Sequence, residues 1–181
     1  QLFLCKNRWP HAWNVRYCRQ GSGQRKASWN KKAQGWRYYK ELFQIAKELK
    51  ENPGQFKFVA IDTVTALEEM AIPLAGKLYQ ETQMGKNWDG DNVLKLPNGT
   101  GYYYQRLAVQ KIIGWFTQVA ENIILIGHVK DKSLTEGGTE LSVKTLDLGG
   151  KLGNILSASS EAICYLYRDV NTGNLMANFG D

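Results

Sequence analysis

The chain has 181 residues, 43% of them hydrophobic, and a formal net charge of +6. This length and composition suit one globular domain with its own core, and they argue against a disordered chain. A membrane-spanning helix is not expected, because the sequence contains no run of eighteen apolar residues. Its three cysteines (Cys5, Cys18 and Cys164) form no CxxC or Cys/His spacing, so we expect neither a zinc site nor a disulfide framework. Reduced thiols in a cytoplasmic protein are expected instead.

The basic charge is confined to one end of the chain. Residues 1–40 contain ten of the 23 Lys and Arg residues and none of the 17 Asp and Glu residues. Residues 41–181 therefore carry a net charge of −4. A basic surface attracts nucleic acid, so the charge makes the amino-terminal segment a candidate for that contact.

Residues 1–33 form a separate segment by composition and pattern. They contain three tryptophans, and their apolar residues show neither helical nor alternating spacing. Three interpretations stay open. The segment is a basic arm that binds nucleic acid through phosphate contacts and stacking, a poorly ordered tail, or a sequence that is not a natural part of the domain. The chain starts without Met and without a secretory signal, so we expect an internal fragment or a clipped product.

From residue 34 onward the sequence predicts alternating helices and strands. A helix with apolar residues at helical spacing runs from about residue 35 and stops at Asn52, Pro53 and Gly54. The apolar run FKFVAID predicts a buried strand that ends at Asp62. The following segment, TVTALEEMAIPLAGKLYQET, predicts a helix with a break near Pro73.

The second half of the chain continues this alternation. Residues 80–101 are polar and contain glycine, so they are not expected in the core. A second amphipathic helix, YYYQRLAVQKIIGWFTQVAE, is expected to face the core with Leu107, Ile112, Trp115, Phe116 and Val119. Then follow a strand (NIILIGHV), a polar loop at 130–148, a helix at about 150–157, a strand (EAICYLYRD) and a turn into a fourth strand in NTGNLMANFG.

Strands that are apolar on both faces and alternate with amphipathic helices predict a mostly parallel sheet covered by helices on both faces. The fold class is therefore α/β, with residues 34–181 as one domain. In such a sheet, ligands gather at the carboxyl ends of the strands. Three strand ends carry polar residues: Asp62 with Thr63, His128, and Arg168 with Asp169.

Each of these residues has more than one interpretation. An apolar run followed by Asp is typical of a strand whose carboxylate holds Mg²⁺ near nucleotide phosphates. Asp62 could instead cap the next helix through its side chain. His128 could form a hydrogen bond with a γ-phosphate or with an attacking water, or its hydrogen bonds could be only to the protein backbone. Glu68 and Glu69 are expected on the solvated face of the helix after the strand rather than to act as a general base.

Several segments in this order resemble a RecA-like P-loop ATPase core. DTVTAL is similar to the stretch that follows the Walker B Asp, and TLDLGGKLGNILSASSEAICYLYRD is similar to the region where the second DNA-binding loop ends in two glycines. LEEM, MGKNW, GYYYQRL and GHVKDK resemble phage-encoded RecA-like or AAA-family nucleotide-binding proteins that accompany single-strand annealing proteins. The resemblance covers about residues 35–181.

The resemblance implies roles for particular residues. Asp62 would hold Mg²⁺ through water, with Thr63 beside it at the ATP, and His128 would be the polar sensor of the γ-phosphate. Residues 80–101 and 130–148 would be the two DNA-facing loops. The residues implied to contact single-stranded DNA are Lys86, Trp88, Lys130, Lys132 and Lys144.

The chain departs from this family in its phosphate-binding part. The motif GxxxxGK[ST] is absent; the nearest string is GSGQRKAS, where Arg25 stands in the place of the last glycine and would block the approach of the phosphates. The expected catalytic glutamate is also missing, since the first forty residues contain no glutamate.

The expected function is thus that of a phage recombination or single-strand-annealing ATPase core that uses ATP and Mg²⁺ in the cytoplasm of the bacterial host. The chain alone is expected not to hydrolyse ATP. Its partners would be single-stranded DNA, a single-strand annealing protein and further copies of itself. The alternatives are a non-enzymatic nucleic-acid-binding module that uses residues 1–40, and a scaffold domain.

Overall fold

The computed structural model describes residues 2–5, 31–51, 56–136 and 139–179. Its helices are α1 (Lys31–Glu51), α2 (Val64–Met70), α3 (Ile72–Gln80), α4 (Thr100–Phe116) and α5 (Leu152–Ala158). Its strands are β1 (Leu2–Cys5), β2 (Phe58–Asp62), β3 (Asn122–Gly127), β4 (Val129–Glu136), β5 (Thr139–Leu146), β6 (Ala162–Arg168) and β7 (Leu175–Asn178). No helix in the described ranges is long and apolar enough to cross a membrane.

The main sheet has the strand order β2-β3-β1-β6-β7. β2 and β3 are parallel, whereas β1 is antiparallel to both β3 and β6, and β7 is antiparallel to β6. Because β1 opposes both of its neighbours, β3 and β6 run in the same direction as β2. Separately, β4 and β5 form a two-stranded antiparallel hairpin.

The predicted α/β class is confirmed, but the predicted mostly parallel pairing is not. The sheet is mixed because β1, which lies within the segment 1–33, occupies the place between β3 and β6. Its four residues, LFLC, are too few to produce a periodic signal. Residues 6–30, which hold most of the predicted basic arm and the string GSGQRKAS, lie outside the described residues.

The core gathers buried apolar side chains from every helix and from strands β2, β3 and β5. Ile112, Val109 and Ala108 of α4 are completely buried, and so are Val64 of α2 and Leu152 of α5. The helical spacing predicted most of this face of α4, although Leu107, also expected to face the core, is only half-buried. Ile112 and Phe116 lie in the core, as does Val119 just after the helix, and Trp115 packs against its edge.

The long helix after β2 does break before Pro73, as predicted. Ala71 ends α2 and Pro73 lies in the first turn of α3, where its missing N–H costs no helical hydrogen bond. Proline is well placed at that position because its fixed φ matches the helix. The break separates two short helices that each bury a leucine in the core, Leu67 on α2 and Leu74 on α3.

Two segments predicted as loops are ordered in other ways. Residues 130–148 contain most of the β4–β5 hairpin, which was predicted as a polar loop because β4 shows no apolar alternation and the alternation in β5 is limited to Leu141 and Val143. Residues 80–101 form turns and two 3₁₀ segments, Val93–Lys95 and Pro97–Gly99. Val93 is only 1% exposed, so the expectation that this polar stretch stays out of the core was wrong at this residue.

Candidate functional site

The carboxyl ends of β2 and β3 lie side by side. Asp62 pairs with Ile126 in the parallel register, and His128 follows Ile126 by two residues. Asp62 is thus the last residue of β2 and His128 directly follows β3, so both lie at the same edge of the sheet. Both residues are exposed. The structure therefore brings together the two strand ends that the sequence singled out.

Thr63, not Asp62, caps the helix that follows β2. The Thr63 backbone is extended, and its Oγ1 accepts a hydrogen bond of 3.2 Å from the N–H of Ala66. The capping alternative for Asp62 was therefore wrong. The Asp62 carboxylate makes no hydrogen bond or ion pair with any residue in the described part of the chain, which leaves both oxygens open to a ligand.

An exposed carboxylate of this kind fits Mg²⁺. This ion keeps several waters and is commonly bound by one or two carboxylates together with substrate phosphates. Within the described ranges, no three His, Cys, Asp or Glu residues come close enough to form a metal cage. Asp62 thus suits a hydrated Mg²⁺ that also needs phosphate oxygens, and Thr63 retains a hydroxyl proton that it can donate beside it.

The phosphates themselves have no cradle in the described residues. An apolar cavity of about 100 Å³ adjoins Asp62 between α1, β2 and α2. Its walls are mainly hydrocarbon, from residues such as Leu42, Ile61 and Met70. Such walls offer no row of N–H donors for phosphate, so the residues described fit the metal-binding part of a nucleotide site and not its phosphate loop.

Helix α2 holds the start of β4 through Thr65. The Oγ1 of Thr65 accepts a hydrogen bond of 3.2 Å from the backbone N–H of His128. This contact fixes the backbone at the predicted sensor while leaving the imidazole of His128 exposed. Sequence reasoning missed Thr65, although its place two residues after Thr63 puts it in the first turn of α2.

Glu68 was expected on the solvated face of α2, and this prediction was wrong. It is half-buried, and its Oε1 accepts a hydrogen bond of 2.8 Å from the N–H of Gly149. Burial raises the pKa of Glu68 above its ordinary value, although the bond from Gly149 and the charge of Lys130 act in the opposite direction. Glu69, its neighbour, is exposed as expected.

The lysines predicted to contact DNA in the second segment lie on or beside the hairpin in unlike environments. Lys130 forms an ion pair of 3.2 Å with Asp147 and donates a hydrogen bond of 2.9 Å to the carbonyl of Leu148. Lys144 forms an ion pair with Asp131 across the strands. The Lys132 side chain is exposed and has no partner among the residues described.

The two residues predicted in the first DNA-facing segment also differ. Lys86 is exposed, whereas Trp88 is half-buried. The Trp88 ring lies against the backbone of Gly76 and meets Tyr79 edge-on, with ring centroids 5.8 Å apart. Gln80 donates a hydrogen bond of 2.8 Å to the Trp88 carbonyl. Trp88 therefore packs on α3, and its stacking on a base remains a prediction.

The third polar strand end serves a turn. The Asp169 carboxylate accepts hydrogen bonds from the N–H of Thr172 at 2.7 Å, the hydroxyl of Thr172 at 2.8 Å and the N–H of Asn171 at 3.0 Å, and these bonds hold its pKa below the ordinary value. Arg168 donates a bond of 2.6 Å to the carbonyl of Gly173. These contacts close the β6–β7 connection, so Arg168 and Asp169 have local roles distinct from those of Asp62 and His128.

Comparison with known proteins agrees with this geometry. A family model described as an AAA domain matches residues 15–180. No curated protein and no solved structure is significantly similar to the chain. The match spans nearly the whole chain and includes the parallel strand pair that presents Asp62 and His128. The chain thus belongs to the AAA domain family, a family of nucleotide-binding, ATPase-like cores related to the P-loop NTPases.

Proposed function

We propose that this chain is most of a RecA-like ATPase core that acts in phage DNA recombination beside a single-strand annealing protein, in the cytoplasm of a bacterial host. The observation that carries the nucleotide-binding part is the parallel β2–β3 pair, which ends at an Asp62 carboxylate without a partner among the described residues and at His128, directly after β3. The recombination part is supported by the resemblance of the segments around these strands to phage RecA-like proteins.

In this proposal Asp62 holds a hydrated Mg²⁺, and the Thr63 hydroxyl donates to a nearby oxygen of ATP. The metal ion supplies charge neutralisation at the β- and γ-phosphates when it is bound. His128, whose backbone is held by Thr65 and whose ring is exposed, would donate a hydrogen bond to the γ-phosphate in this proposal. A ring donor at that place makes the site sensitive to whether the nucleotide is ATP or ADP.

We further propose that single-stranded DNA contacts the β4–β5 hairpin and residues 80–101. The exposed ammonium groups of Lys132 and Lys86 support this surface most directly, because neither makes an ion pair with a described residue. Lys130 and Lys144 would have to exchange their carboxylate partners for phosphates. Assembly into a homo-oligomer, with the nucleotide between subunits, is part of the same proposal.

The test of the nucleotide site is equilibrium binding of a fluorescent ATP analogue with Mg²⁺ or with EDTA. We expect weak Mg²⁺-dependent binding that Asp62→Ala reduces about tenfold or more, since the carboxylate is the ligand from the protein. Glu121→Ala is the matched control, because Glu121 is an exposed carboxylate next to the opposite end of the same strand pair. Equal binding by the two variants would contradict the metal role of Asp62.

Turnover is measured in the same preparations with and without single-stranded DNA. Because the sequence has no GxxxxGK[ST] motif, we propose that these 181 residues do not hydrolyse ATP alone. Hydrolysis above background that disappears in Asp62→Ala would show that the chain is active and would overturn this part of the proposal.

A further inference from the structure

Two side chains of α2 hold both legs of the β4–β5 hairpin. Thr65 accepts a hydrogen bond from the N–H of His128, the residue directly before β4. Glu68 accepts one from the N–H of Gly149, three residues after the end of β5. Residues three apart lie on the same face of a helix, so one face of α2 contacts both legs.

The base of the hairpin is closed by further contacts between its legs. The N–H of Asp147 donates a hydrogen bond of 2.8 Å to the carbonyl of His128. Lys130 bridges to the other leg through Asp147 and the carbonyl of Leu148. Beyond this base the two strands pair chiefly with each other. The direction in which the hairpin projects is therefore set at this base, where the α2 contacts act together with the buried side chains of Leu146 and Leu148.

Glu68 is the stronger of the two attachments. Its acceptor is a carboxylate, and hydrogen bonds to charged acceptors are shorter and stronger than neutral ones. Gly149 permits the contact, since a Cβ at that residue would lie 2.9 Å from the Glu68 Oε1. The buried Gln105 of α4 donates a hydrogen bond of 3.1 Å to the backbone carbonyl of Glu68. This second contact fixes the backbone of α2 at Glu68.

We propose that Glu68 is a positioning residue that anchors the β4–β5 hairpin to α2, the helix that begins at the candidate Mg²⁺ site. The anchor holds the hairpin in the orientation that presents Lys132 to a polyanion. Only this choice of ligand rests on the proposed function. The anchoring itself is a property of the fold and can be tested without any ligand.

The first experiment is amide hydrogen exchange measured by mass spectrometry on the full chain. We expect Glu68→Ala to accelerate exchange at Gly149 and along β4 and β5 by about tenfold, with β2 and β3 unchanged, because a lost attachment opens the hairpin locally. Glu69→Ala is the matched control on the exposed face of the same helix. Glu68→Gln keeps an acceptor oxygen in place and should restore most of the protection.

Two results would overturn the proposal. One is a hairpin in Glu68→Ala that exchanges at the rate seen in Glu69→Ala. The other is equal acceleration in every element, which would mean that Glu68 only stabilises the whole fold. Thr65→Val is the second variant should Glu68→Ala not fold; it removes the other attachment at similar volume and is expected to accelerate exchange at His128 and in β4 first.

The second experiment connects the anchor to binding. Binding of a fluorescent oligo-deoxythymidine is expected to weaken several-fold in Glu68→Ala and to recover in Glu68→Gln, while Mg²⁺-dependent binding of the ATP analogue stays unchanged. Oligonucleotide binding that is unaffected by Glu68→Ala, despite a loosened hairpin, would contradict the role in presenting Lys132. If the unmodified chain binds no oligonucleotide, the proposed function fails, and the exchange pattern still decides whether Glu68 is the anchor.

Discussion

At the scale of single residues, the half-buried carboxylate of Glu68 links pH to stability. Its pKa in the folded chain is raised above its ordinary value, chiefly because burial disfavours the charged form. In the unfolded chain the group titrates at its ordinary value. Between these two pKa values the folded state holds more protons than the unfolded state, so the free energy of unfolding falls as the pH rises through this window.

This linkage predicts the behaviour of Glu68→Gln, which removes the titration but keeps the shape of the side chain. We expect the free energy of unfolding of the unmodified chain, relative to Glu68→Gln, to be greatest near pH 4 and to decline until the pH exceeds the raised pKa. Urea unfolding at intervals from about pH 4 to about pH 8 measures this difference. Glu69→Gln serves as the exposed control, and a difference that grows with pH would mean that the pKa of Glu68 is lowered.

At the scale of elements, the strongly apolar segments were predictable and the polar ones were not. FKFVAID and NIILIGHV gave β2 and β3, and therefore Asp62 and His128, because a buried strand must be apolar on both faces. The β4–β5 hairpin is formed by cross-strand pairing, with contacts such as the ion pair of Asp131 and Lys144, and a pattern of hydrophobicity cannot reveal these. The contact of Glu68 with Gly149 joins residues 81 apart in sequence and was hidden for the same reason.

Residues 80–101 show how one side chain can order a polar segment. Trp88 returns the chain onto α3 by packing on Gly76 and Tyr79. We expect Trp88→Ala to lower the free energy of unfolding by about 2–3 kcal/mol, because a large half-buried ring is lost. In the same segment, Met84 is 87% exposed, and Met84→Ala should change stability by less than about 0.5 kcal/mol.

Urea unfolding of the two variants measures both values. If Trp88→Ala and Met84→Ala both change the free energy of unfolding by a similarly small amount, Trp88 contributes little to the fold and is available for stacking on bases. A large loss of stability would instead require that its role in DNA binding be tested with Trp88→Phe, which retains an aromatic ring on Gly76.

At the scale of the whole molecule, the basic segment and the sheet are not separable. β1 lies between β3 and β6, so deleting residues 1–33 would remove a strand from the middle of the sheet. Such a deletion could abolish binding simply by unfolding the domain. A sharper variant leaves β1 intact and replaces the six basic residues that follow it with glutamine: Lys6, Arg8, Arg16, Arg19, Arg25 and Lys26.

The salt dependence of oligonucleotide binding then separates the two candidate DNA-binding surfaces. Each phosphate contact on a single strand contributes about 0.7 to the slope of log affinity against log salt concentration. We expect Lys86→Gln with Lys132→Gln to reduce the slope by about 1.4, and the six-residue variant to change it by less than about one. Lys111→Gln on α4 is the control for a lost exposed charge. A fall of about 4 in the six-residue variant, with no change in the double variant, would assign DNA binding to the basic arm, as in the non-enzymatic alternative.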